Sequence, residues 1–183
     1  MVTSKALIRI CLMTSILGTP TIAQQPPKPS AEHEVLAADE GTWDATITSF
    51  MGGPDGEPTV SRGTEVNTLL AGGLWLVSEF EGDFGGVKFV GRGHFGYDPL
   101  RKKYVGTWID SMSPAIYTSE GAFDKAGKVY TETMVGPDPT GKSTKMRLTT
   151  EVKDKDHLEF KMYAPGEGGK EFLAMEATYT RKK

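Results

Sequence analysis

Cysteine is almost absent: the 183-residue chain has one, Cys11. Clusters of basic residues are absent too, with 21 Lys and Arg scattered among 24 Asp and Glu. That balance argues against nucleic acid or an anionic membrane surface as a partner. No Gly-x-Ser-x-Gly elbow occurs, and no Ser-His-Asp or Cys-His set can be assembled. A membrane-spanning helix needs roughly 20 apolar residues. The run from Ile10 to Leu17 reaches less than half of that, so no stable membrane anchor is expected.

The surroundings of that run carry a different meaning. Lys5 and Arg9 precede it, Gly18-Thr19-Pro20 breaks it, and Thr21-Ile22-Ala23 places small residues before a cut after Ala23. A basic start, an apolar middle and a small-residue cut site are the parts of a secretory signal. Residues 1–23 are therefore expected to be a signal peptide, with the rest exported to the periplasm or beyond the cell. Cleavage removes Cys11, so the remaining 160 residues can form no disulfide. They carry 19 basic and 24 acidic side chains and are long enough to bury one core.

Residues 24–31 form a proline-rich spacer around Pro26-Pro27-Lys28-Pro29, and residues 32–183 a single domain. Ser30, followed three residues later by His33 with Glu32 and Glu34 nearby, suits the start of a short helix over 30–38, which would plug one end of the structure. Helical signal is otherwise lacking. After Gly41 the pattern has period two, with strands expected at 42–50, 58–70, 74–82, 86–97, 103–110, 115–123, 128–135, 143–153, 157–164 and 171–181. Short links force antiparallel pairing. The expected fold class is all-β: one antiparallel up-and-down barrel of about ten strands, whose closure leaves no bare edge. Alternation puts Trp43, Ala45 and Ile47 inside, and Phe89 with Gly91, Gly93 and Phe95. It groups Tyr104 with Trp108 and Asp110, Met146 with Leu148, and Phe160 with Met162. On the last strand Leu173, Met175, Ala177 and Tyr179 share a face that ends in Arg181.

Two literal nucleotide motifs lose their mechanism in this setting. Gly136 to Ser143 matches a P-loop and Gly91 to Gly96 a dinucleotide fingerprint, yet strand-like sequence follows the first and surrounds the second. Neither opens the helix that would hold a phosphate. His33, His94 and His157 have no ligand neighbours at metal-site spacing, so no metal or other cofactor is expected. Glu79 with Glu81, and Asp110, Glu120 and Glu132, offer carboxylates without showing that any two meet.

Gly41-Thr42-Trp43, opening the first strand after a short helix, resembles the Gly-x-Trp signature of lipocalins and related calycin barrels. The resemblance implies that Trp43 packs across the closed end against a basic residue from the far end of the chain, with Arg181 the natural candidate. More broadly, Leu70-Ala71-Gly72-Gly73, Gly96-Tyr97-Asp98-Pro99, Tyr104 through Ser111 and Tyr179-Thr180-Arg181-Lys182 resemble the bacterial domain-of-unknown-function family 1579. That likeness runs from about Glu32 to Lys183 and implies a calycin-like barrel without an activity. Nitrobindin-type haem barrels are more remote: glycines follow their tryptophan, where this chain has Asp44-Ala45-Thr46.

The expected function is binding of a small apolar or amphipathic ligand inside the barrel. Its wall would include Trp43, Phe89, Tyr104, Trp108, Met146 and Phe160, with Asp110, Arg181 or Ser119 orienting a polar group. Two alternatives stay open from sequence: an enzyme using carboxylates or a histidine inside the barrel, and a cavity-free structural or protein-interaction module. No catalytic residue is identified.

Overall fold

The computed structural model describes residues 26–183 apart from 51, 53–55 and 139, so the expected signal peptide lies outside the described residues. Ten strands follow one helix, α1 (Ala31–Ala37). They are β1 (Gly41–Ser49), β2 (Thr59–Leu69), β3 (Trp75–Phe84), β4 (Val87–Asp98) and β5 (Lys103–Asp110), then β6 (Ser113–Phe123), β7 (Val129–Pro137), β8 (Ser143–Asp154), β9 (His157–Pro165) and β10 (Glu171–Arg181). Each pairs antiparallel with its sequence neighbour, and β10 returns to β1 with Trp43 opposite Arg181. The result is a closed up-and-down barrel with every boundary within two residues of the sequence expectation. Local chemistry explains that agreement. Between β3 and β4, Gly85 and Gly86 take φ of 64° and 86°, the double left-handed turn that matches the twist of a tight hairpin.

α1 closes the end of the barrel where β1, β3, β5 and β7 begin. The Ser30 amide donates to His33 Nδ1 at 3.0 Å, so a histidine serves where a capping box usually has Glu or Gln. Leu36 packs on Leu76 and Tyr104, and the Tyr104 hydroxyl donates to the Glu32 carbonyl at 3.2 Å. Beneath the helix Tyr104, Phe123 and Tyr130 meet with ring centroids 5.1 to 5.7 Å apart. This aromatic floor seals one end by apolar burial and edge-on ring contacts.

The last strand departs from simple alternation. Leu173 pairs with Tyr163, but Met175 pairs with Met162, with a bulge at Ala174 between them. Directly paired residues share a face, so Leu173 lies outside with Tyr163 while Phe172, opposite Ala164, points in. The expected inner set of Leu173, Met175, Ala177 and Tyr179 is corrected to Phe172, Met175, Ala177 and Tyr179. The bulged Ala174 is fully buried and its carbonyl accepts the Phe50 amide at 2.8 Å. β2 is inverted in polarity: Val60 and Val66 face solvent, 67% and 40% exposed, while Ser61 and Asn67 are buried.

Candidate functional site

At the closed end Trp43 is 1% exposed. Its indole nitrogen donates to the Asp39 carbonyl at 3.0 Å, and the Arg181 guanidinium lies 4.0 Å over the ring. Arg181 also donates to the carbonyls of Lys155 and Ala38 at 3.0 and 2.7 Å, and to that of Glu40. The glycine of the signature follows from this arrangement. Gly41 has φ 134°, and a Cβ there would stand 2.8 Å from Arg181 Nη1. With its planar donors spread over three carbonyls, Arg181 latches the end of the chain over Trp43. Asp39, under the same latch, has its pKa pushed up to about 6 by burial and by the nearby Glu65 charge, with Arg181 acting the other way.

The other half of the interior is built differently. Ala45, Ile47, Phe80 and Ala177 form a buried cluster, joined by Phe89, Trp108 and Phe160. Those three, and Met146 on β8, point inward yet are only half-buried. The rings lie against the wall. A Cβ at Gly91 would strike the Trp108 ring, one at Gly63 the Phe80 ring, and one at Gly136 the Tyr117 ring. Glycines thus act as seats that let aromatic faces lie along the strands. Asp110 sits at the rim of this half, where its carboxylate accepts the Trp108 indole at 3.2 Å and the Met112 amide at 2.8 Å.

The eight residues expected to bind a ligand therefore fall in three layers. Trp43 and Arg181 meet at the closed end, and Tyr104 belongs to the aromatic floor. Phe89, Trp108, Phe160, Met146 and Asp110 belong to the wall and rim.

Sequence reasoning named Glu132 and Ser119 but missed the interior polar group on β2 and β3. On β2 Glu65 accepts from Asn67 Nδ2 at 3.0 Å, Tyr179 donates to the same carboxylate, and Ser78 stands beside it. Across the barrel on β7, five strands away in either direction, Glu132 is 8% exposed and accepts from the Tyr130 hydroxyl at 3.2 Å. Burial raises the pKa of both glutamates. Asn67 Oδ1 is buried without a hydrogen-bond partner, and the buried Ser78 and Ser119 hydroxyls lie beside the Glu65 and Glu132 carboxylates.

The other carboxylates singled out from sequence are outside. Glu79 faces Arg92 at 3.3 Å, Glu81 faces Lys88 at 3.5 Å, and Glu120 pairs with Lys103. His94 is exposed beside Thr107, and His157 meets Asp154 across a turn at 2.8 Å. Among the described residues no group of three or more His, Cys, Asp and Glu is placed to hold a metal. Two concavities stand out among the described residues. One, of about 460 Å³, crosses the outer faces of β5 to β8 between Val105, Thr133 and Lys145. The other, of about 220 Å³, lies at the plugged end beside α1, between Val35 and the inward-facing Phe123, Val152 and Leu158.

A closed antiparallel barrel, plugged by a helix and latched by a Gly-x-Trp tryptophan under an arginine, is a calycin-like barrel. The chain belongs to the family described as "Protein of unknown function (DUF1579)", which matches residues 28–181. Solved structures of similar fold include the crystal structure of Rv2717c from M. tuberculosis (TM-score 0.64, 14% identity), with 84% of this chain and 99% of that one covered. The S-type phycobiliprotein lyase CPES from Guillardia theta is another (TM-score 0.57, 13% identity), with 84% and 94% covered. At such identities the likeness shows the fold alone. No curated protein matches the chain by sequence.

Proposed function

We propose that the chain is exported and holds a small apolar or amphipathic molecule in the unplugged half of the barrel. One observation carries the reading. Trp108, Met146 and Phe160 point inward but keep accessible surface, and the Trp108 ring is seated flat over a glycine instead of crossing the lumen. A mostly apolar wall with a few placed polar groups is the usual make-up of a small-molecule site. A similar barrel belongs to a protein named as a phycobiliprotein lyase, so the scaffold is not confined to a structural role.

The test is titration with N-phenyl-1-naphthylamine, a neutral apolar fluorophore. Saturable enhancement near one probe per chain is expected, with a rise in melting temperature equivalent to about 2.7 kcal/mol at a hundredfold excess over Kd. Met146→Trp, which fills the lumen, should weaken binding at least tenfold. Absence of saturable binding and of any thermal shift sinks the reading.

Export is supported by residues 1–23. Expression of the full chain in a Gram-negative host should give periplasmic protein starting at Gln24. Cytoplasmic protein that keeps those residues would overturn this part.

A further inference from the structure

We propose that the lumen selects an amphiphile with a primary-amine head group, received at its inner end by Glu132 and Ser119. The inference rests on the lumen reading above and adds the chemistry of the ligand.

The first observation is position. Along the inner face of β7 the chain places Tyr130 in the aromatic floor, then Glu132, then the half-buried Met134 and finally Gly136 toward the opposite end. Glu132 stands where the packed floor ends and the accessible wall begins, directly paired with Gly121 on β6 and Leu148 on β8. A chain lying along Met134, Met146 and Trp108 would bring its terminal group to this carboxylate.

The second is unfilled hydrogen-bonding capacity. A carboxylate offers about four lone-pair sites; Glu132 receives the Tyr130 hydroxyl at 3.2 Å and interacts with the Ser119 hydroxyl, which leaves acceptor sites open. Ser119, also 8% exposed, stands on the adjacent strand beside this carboxylate with its Oγ buried. Across the barrel Asn67 Oδ1 is a buried oxygen without a partner. Buried oxygens without donors are costly, by roughly 1 to 3 kcal/mol each. A ligand that donates hydrogen bonds fills the open lone pairs of a carboxylate or amide oxygen; one that presents only acceptors can engage a hydroxyl such as that of Ser119 but not the Glu132 carboxylate.

The third is charge. The inward positions of the ten strands hold Glu65, Glu132 and Asp110 and, among the described residues, no lysine. The inward arginine, Arg181, has its guanidinium spread over three carbonyls and the Trp43 ring at the closed end. A carboxylate ligand would meet acids without a free cation, whereas an ammonium group would meet an acid lacking a basic partner. Burial, which lifts the Glu132 pKa, is the penalty that an ammonium neighbour offsets by favouring the ionised form.

Decylamine, decanol and decanoate, each below its micelle concentration, are to compete with N-phenyl-1-naphthylamine at pH 7.5 in moderate salt. Decylamine should displace the probe at a concentration at least tenfold lower than either of the others. Glu132→Gln should erase that preference while leaving decanol unchanged, and Ser119→Ala should reduce it. Glu79→Gln, which removes a surface acid, should keep the preference, separating the site from general attraction by a net-negative protein. The Glu132→Gln protein should melt at or above the wild-type temperature, since a neutral isostere relieves a desolvated acid. Equal displacement by all three chains, preference for decanoate, or preference surviving in Glu132→Gln overturns the inference and leaves the lumen reading standing. Failure of any chain or probe to bind overturns both.

Discussion

Asp39 shows how a single buried group sets a pH dependence. Its carboxyl titrates at about 6 in the folded chain against 3.8 ordinarily. Between those values the folded state holds more protons than the unfolded state, so stability falls as pH rises through the window. It stays at the lower level above about pH 6. Asp39→Asn removes this loss without touching the backbone carbonyl that receives Trp43. At pH 7 the variant should exceed the wild type by on the order of 2 kcal/mol, and at pH 3.5 the two should nearly coincide. Denaturation midpoints at the two pH values decide it; a gain equal at both would contradict the assignment. Glu65 and Glu132 are shifted the same way, so the difference between variant and wild type is the informative quantity. The packing of Trp43 against Arg181 was legible through the resemblance of Gly41-Thr42-Trp43 to the lipocalin signature, which implies a basic partner from the far end of the chain. The raised pKa of Asp39 was not, since nothing local to it announces that folding buries it beside the Glu65 charge.

At the scale of elements, strand positions could be read because turns and period-two alternation are local properties. Faces were harder wherever apolar residues run together. Phe172-Leu173-Ala174-Met175 is apolar throughout, so alternation gives no phase there and the bulge at Ala174 was invisible until pairing with β9 fixed it. β2 misleads in the other direction, since its valines face solvent and its serine, glutamate and asparagine face in. The wall glycines of β4 are a structural device with a testable consequence. Gly91→Val places a side chain where the Trp108 ring lies, pushing the ring into the lumen. A loss of about 1 to 3 kcal/mol is expected, together with weaker probe binding and a changed tryptophan emission. Unchanged stability and emission would show that the ring does not use that seat.

For the whole molecule, closure substitutes for covalent bracing. Beyond Cys11 the chain has no cysteine, and β10 pairing with β1 satisfies both edges that an open sheet would expose. The packed floor beneath α1 and the more accessible wall at the opposite end divide one barrel into a stabilising half and a half with inward surface to spare. The amino-acid sequence by itself determined the strand count, their order, the helical plug and the tryptophan latch. Each of these follows from turn chemistry, period-two patterning or a short motif acting over a few residues. Only the tertiary structure decided that Glu65 and Glu132 are interior. On β7 the alternative face carries Val129, Thr131, Thr133 and Val135, which is equally strand-like, so local pattern could not choose. Closing the barrel turned Tyr130 and Met134 inward against neighbouring strands, and Glu132, two residues from each, had to follow them.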